Sequence, residues 1–181
     1  MRRGGERGGI VWLTGLSGVG KSTLASALAA HLDSVRRVEV IDGDEARKLM
    51  PSGIGFSRED RDLNVHRVAH VARLLAKHGV LVIVSVIAPY ATTRVDLARK
   101  SEDAGHAFVE IYVNAPLPPV IDRDAKEIYR RALAGELPSL PELADPYEPP
   151  VAPALEVRAD RETPAESAMR IMSLLARLGL L

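Results

Sequence analysis

The sequence predicts a layered α/β fold: a mostly parallel five-stranded sheet flanked by helices. Three observations carry that expectation. Short apolar runs alternate with longer stretches of helical period. One run, VLVIVSVI (80–87), is almost uniformly apolar, as suits a central parallel strand covered on both faces. The first run, GIVWLT (9–14), passes directly into a glycine-rich turn and then a helical pattern.

GIVWLT is the first predicted strand, and Lys21 to Leu32 the first helix. VEVI (38–41) follows as the second strand. From Arg58 to His78, Leu63, Val65, Val68, Val71, Leu74 and Leu75 recur at the spacing of one apolar helical face. Ser57 stands where a cap belongs and Gly79 where a helix stops. After the third strand, VLVIVSVI, the pattern gives a helix over Thr92 to Ala104 and a fourth strand, AFVEIYVN (107–114). Asp122 to Gly135 predicts a helix with a charged outer face. LEVRA (155–159) is the fifth strand. Ala165 to Leu178 closes the chain as a helix, with Thr163-Pro164 as its start signal. LPSLPELADPYEPPVAP (137–153) is too rich in proline for an ordinary helix. It reads as a linker or as a lid over substrate.

The chain of 181 residues suits a single domain over 9–181, preceded by a basic, glycine-rich tail at 1–8, with a lid segment at about 122–153. Acidic and basic residues number 24 each, which gives no reason to expect field-driven binding to nucleic acid or to an anionic membrane. The absence of cysteine excludes disulfide and thiol chemistry. No apolar run has the length of a bilayer span, and no signal-peptide core follows the basic start. A cytoplasmic location is the default expectation.

The stretch GLSGVGKST (15–23) matches G-x-x-x-x-G-K-[ST] through Gly15, Gly20, Lys21 and Ser22. Its glycines let backbone amides turn inward around phosphate oxygens, and the helix that follows adds its positive end. Lys21 can reach the outer phosphates, and the Ser22 hydroxyl can ligate Mg2+. The strand before and the helix after are the context this motif requires. The predicted ATP-binding set is therefore Gly15, Ser17, Gly18, Gly20, Lys21, Ser22 and Thr23. No N-K-x-D guanine signature follows, which favours ATP over GTP.

Two further stretches bear on the acceptor. IDGDEARKL (41–49) puts Asp42 and Asp44 at the end of a strand, where α/β sheets place their sites. The pair can hold metal-bound water or orient an acceptor hydroxyl, with Arg47 meeting an anion. Alternatively it is an acidic turn in which Asp44 caps a helix. In GFSREDRDLN (55–64), Phe56 can stack on a base or lie in the core. Arg58, Arg61 and the nearby Arg67 can clamp a phosphate or sulfate, or else solvate a helix start. Asn64 can read a base or ribose edge.

Four separated motifs together resemble the adenylylsulfate kinase family of P-loop kinases: GLSGVGKST (15–23), DGDEAR (42–47), GFSREDRDLNVHRVAHVARLLA (55–76) and VIVSVIAPY (82–90). IDRDAKEIYRRALAGEL (121–137) and DPYEPP (145–150) extend the match. The resemblance implies the three-layer fold of P-loop nucleoside-triphosphate hydrolases. It also implies transfer of the γ-phosphoryl group of ATP to the 3′-hydroxyl of adenosine 5′-phosphosulfate, with Mg2+ as cofactor. A homodimer is implied too, working beside a separate ATP sulfurylase, for whose domain this chain has no room. Carried over by motif, Lys21, Asp42 and Asp44 are the catalytic residues, with Ser22 on the metal and Asp42 reaching it through water. Arg47, Phe56, Arg61, Asn64, Ile87, Pro89, Tyr90, Lys126 and Leu140 belong with Asp44 on the acceptor. Arg123 and Asp124 match the pair near the ATP base, and Lys126 a lysine over the nucleotides. Arg130 and Arg131 either close over the phosphates or solvate a helix.

The sequence departs from the family pattern at several points. Leu140 stands where a second stacking aromatic is usual, and Pro138 where a lysine is. Glu127 replaces a glycine beside Lys126. Ala88 replaces a serine that can be phosphorylated in some members. Two other readings remain beside a working adenylylsulfate kinase. One is a kinase of another small nucleotide or alcohol. The other is a non-catalytic nucleotide sensor.

Overall fold

A computed structural model of the chain describes residues 7–48, 57–116 and 147–181. In chain order these form β1 (Gly9–Thr14), α1 (Lys21–Leu32), β2 (Val38–Asp42), α2 (Gly43–Lys48), α3 (Arg58–Lys77), β3 (Leu81–Ser85), α4 (Ala91–Asp103), β4 (Ala107–Asn114), β5 (Leu155–Arg158) and α5 (Pro164–Arg177). The five strands make one sheet in the order β2-β3-β1-β4-β5. Every pairing in it is parallel.

Strand alternation divides the core into two halves. Val11 and Leu13 of β1 point with Val109, Ile111 and Val113 of β4 toward α1 and α5, where they meet Leu24, Leu28, Ile171 and Leu175. Ile10 and Trp12 point the other way, with Val82 and Val84, toward α3 and Leu97 of α4. The Trp12 ring stacks on Phe108 at 5.6 Å between centroids. All five residues of β3 are buried, as expected for a strand covered on both faces. The strand is shorter than its apolar run, because Val86 and Ile87 already belong to the loop that follows.

Helix α3 starts as the sequence indicates: the Ser57 hydroxyl accepts the Asp60 amide at 3.1 Å. Its buried face differs from the one read off the large aliphatics. Val65, Val68, Ala69, Ala72 and Ala76 face the sheet, whereas Leu63, Val71 and Leu74 are 44–49% exposed. The alanines let the helix lie close to the strands, and a count of bulky residues overlooks them. Gly79, at φ 81°, ends the helix in the left-handed region. At α5, Thr163 and Glu166 form the reciprocal capping box behind Pro164.

Candidate active site

The parallel register fixes three residues in one row at the C-terminal edge of the sheet. Ser85 of β3 lies level with Leu13 of β1 on one side and with Asp42 of β2 on the other. Beyond Leu13 the chain leaves the sheet through Thr14 into the glycine-rich loop, so this loop and Asp42 face each other across the end of β3. That is the crevice in which open parallel sheets bind ligands.

The loop is held by its own backbone and by Lys21. Gly15 has φ 154°, and a Cβ there would lie 2.2 Å from the Val113 carbonyl oxygen. Gly18 and Gly20 also have positive φ, 72° and 102°. These three conformations suit glycine and turn the intervening amides toward a common centre. Lys21 is buried, and its ammonium donates to the carbonyls of Gly15 at 2.9 Å and Leu16 at 2.6 Å. Ser17 is half-buried, and Gly18, Ser22 and Thr23 are exposed at the mouth.

Across the crevice the Ser22 hydroxyl donates to Asp42 Oδ2 at 2.5 Å and lies 3.3 Å from the Ser85 hydroxyl. Asp42 Oδ1 accepts the amides of Asp44 at 2.9 Å and Glu45 at 3.4 Å. The cap of the short α2 is therefore Asp42, not Asp44, which the alternative reading of the pair had put there. Gly43 between them is required by close approach, since a Cβ would meet Val86 Cγ1 at 2.7 Å. The Asp44 side chain is exposed. Arg47 lies in α2.

On α3, Arg58 is engaged by an aromatic ring. Its guanidinium lies over the Tyr90 ring at 4.3 Å, a cation–π contact. Arg61 and Asn64 follow on the same helix, and Asn64 Oδ1 is a buried acceptor with no hydrogen-bond partner among the described residues. Arg67 is exposed and lines a groove of about 340 Å³ with Asp42, Glu45 and Val71. Ile87 is half-buried; Pro89 and Tyr90 are buried. Phe56, Arg123, Asp124, Lys126, Glu127, Arg130, Arg131, Pro138 and Leu140 lie outside the described residues.

Four site residues escaped the sequence reading. Ser85 was hidden inside an apolar run. Arg94 was one basic residue in a helix with several others. Tyr147 and Glu148 lay in the DPYEPP string, which pointed to the segment but not to its contacts. Thr14 Oγ1 donates to the Ile87 carbonyl at 2.6 Å and lies 3.0 Å from the Tyr147 hydroxyl. Thr14 has one proton, engaged by Ile87, so Tyr147 is the donor in their contact. Burial raises the Tyr147 phenol well above its ordinary pKa, which keeps that proton in place.

Comparison with known proteins places these features in a family context. The family model described as Adenylylsulphate kinase matches residues 7–158. The adenylyl-sulfate kinase of Myxococcus xanthus is 54% identical over 178 residues, covering 98% of this chain and 96% of its own. That of Microcystis aeruginosa is 48% identical over 175 residues, covering 96% and 94%. The structure of the Mycobacterium tuberculosis APS kinase in complex with AMPPNP and APS superposes with a TM-score of 0.87 at 39% identity, covering 94% of this chain and 98% of that one.

Proposed function

The chain belongs to the adenylylsulphate kinase family and transfers the γ-phosphoryl group of ATP to adenosine 5′-phosphosulfate, forming 3′-phosphoadenosine 5′-phosphosulfate; from that premise we propose how its residues divide the work. The observation that carries this division is the placement of Ser22, next to Lys21 at the start of α1, against Asp42 across the end of β3.

Gly15, Ser17, Gly18, Gly20 and Thr23 wrap the ATP phosphates with backbone amides, and Lys21 exchanges its two loop carbonyls for phosphate oxygens. Ser22 and Asp42 present two hard oxygen donors, already adjacent at 2.5 Å, on the ends of rigid elements. This pair fits Mg2+, which takes few protein ligands and completes its shell with waters and substrate phosphates. When bound, the metal neutralises charge on the transferring phosphoryl group.

Asp42 has one carboxylate oxygen on Ser22 and the other on the α2 amides. That supports the metal side for Asp42 and leaves the exposed Asp44 to orient or deprotonate the acceptor hydroxyl. Arg47, Phe56, Arg61, Asn64, Ile87 and Pro89 hold the acceptor, with the buried Asn64 Oδ1 available for a donor on it. Tyr90 belongs to this set as a support, since its ring is covered by Arg58. Arg123 meets the ATP base, while Lys126 and Leu140 close over the nucleotides. The same family resemblance supports a homodimer beside a separate ATP sulfurylase, in the cytoplasm. Among the described residues, no helix is long and apolar enough to cross a membrane.

The test is ADP formation from ATP and Mg2+ with adenosine 5′-phosphosulfate as acceptor, adenosine 5′-monophosphate as control, and the product checked by mass. Turnover with the phosphosulfate alone is expected. Asp42→Asn should raise the Mg2+ concentration needed for half-maximal rate. An unchanged requirement removes Asp42 from the metal.

A further inference from the structure

The loop between β3 and α4 is held in an unusual way. Its three successive carbonyls, at Ile87, Ala88 and Pro89, are each engaged by a different part of the chain. Ile87 O accepts from the Thr14 hydroxyl at 2.6 Å, Ala88 O from Arg94 Nη1 at 2.7 Å, and Pro89 O from the Glu148 amide at 2.9 Å. Ala88 itself sits at φ 43°, a left-handed conformation that a non-glycine residue keeps only when its surroundings impose it.

Arg94 is the hub of this arrangement. It is 2% exposed, and its guanidinium makes three contacts in three directions. Nη1 takes Ala88 O, Nη2 takes Glu148 O at 2.6 Å, and Nε takes the Glu110 carboxylate at 2.8 Å. The same guanidinium lies 5.4 Å from the Tyr147 ring, which also stacks on Tyr112 at 6.0 Å. Glu148 closes the circuit: its carboxylate accepts the Ala91 amide at 2.7 Å, at the first residue of α4. Two residues well downstream thus hold the loop: Glu148 at Pro89 and at Ala91 just past its end, and Tyr147 through Thr14.

We propose that Tyr147 and Glu148 act, through Arg94, as a strap that sets the conformation of the Ile87–Tyr90 loop, making Arg94 and Glu148 positioning residues for the acceptor nucleotide. The proposal rests on the reading that this loop faces the acceptor. A guanidinium with three fixed partners is a geometric clamp, which a lysine cannot reproduce. The glycine-rich loop takes no bond from Arg94 or Glu148, so the effect should fall on one substrate.

The experiment compares Glu148→Ala, Glu148→Gln, Arg94→Lys and Ile87→Ala by steady-state kinetics with each substrate varied, and by thermal melting. Glu148→Ala should raise the KM for adenosine 5′-phosphosulfate about five- to tenfold and leave that for ATP unchanged. Glu148→Gln keeps an oxygen for the Ala91 amide and should restore most of the loss. Arg94→Lys should match or exceed Glu148→Ala on the same constant. Ile87→Ala tests the underlying reading directly, because its side chain belongs to the loop itself. If Ile87→Ala raises the acceptor KM and Glu148→Ala does not, the strap is overturned while the acceptor reading stands. If Ile87→Ala has no effect, the acceptor reading fails and the proposal with it. Equal changes in both KM values, or a melting loss in Glu148→Ala with unchanged kinetics, reduce the strap to a purely structural role.

Discussion

The glycine-rich loop and the loop after β3 sit at the same edge of the sheet but are stabilised in opposite ways. The first is made of neighbours: Gly15, Gly18, Gly20 and Lys21 lie within seven residues, and Lys21 binds carbonyls five and six positions away. The second is held largely from afar, by Thr14 at a separation of 73 residues and by Glu148, to which the nearby Arg94 ties it across 54 residues. A loop of the first kind is specified by local conformational preference. One of the second kind exists only once the sheet, α4 and the 147–148 segment have assembled. The phosphate-binding half of the site is therefore robust to change elsewhere, and the acceptor half is exposed to it.

The largest test of that contrast is Lys21→Ala. Loss of the ammonium should lower kcat/KM about a thousandfold or more, with the melting temperature changed far less, because the two carbonyl contacts it is seen to make lie within the loop itself. A large fall in stability would show that the first loop also depends on its neighbours. Thr14→Val comes next, since Thr14 touches both regions. It leaves the Ile87 carbonyl and the Tyr147 hydroxyl without their partner and should cost about 2 kcal/mol in denaturant unfolding, with KM rising for the acceptor rather than for ATP. Phe56→Ala should raise the acceptor KM about tenfold by loss of base stacking, measured with each substrate varied in turn; equal effects on both constants would sink the stacking role. The smallest effect belongs to a control remote from both loops. Thr163→Ala opens the capping box of α5 and should cost about 1 kcal/mol in stability, with kinetics unchanged.

The same contrast explains what could be read from the sequence. The strands, the glycine-rich loop and the Ser57 and Thr163 caps rest on local chemistry, and each is found where the sequence placed it. Asp42 and Asp44 were identified as a pair, but their division of labour depends on which one faces Ser22, and that follows from the pairing of β2 with β3. For Arg58 the sequence left an anion clamp and a solvated helix start open; its contact with the Tyr90 ring, 32 positions on, was legible in neither. Arg94 gave no signal, since nothing in ATTRVDLARK separates a buried hub from a solvated arginine. The alanine-rich face of α3 was obscured for a simpler reason: burial there selects small side chains, which a search for large ones passes over.

The level row of Leu13, Ser85 and Asp42 has one more implication, for how such a site changes over time. A parallel ladder allows relative displacement of two strands only in whole repeats, because a one-residue slip turns every side chain to the opposite face. The smallest slip that preserves the facing is two residues, or about 6.6 Å. The spacing between the glycine-rich loop and Asp42 thus behaves as a stepped scale rather than a sliding one. Mutation within the strands cannot adjust that gap by fractions of an ångström. Gradual divergence in substrate preference has to be written outside the strands, in the segments that connect them.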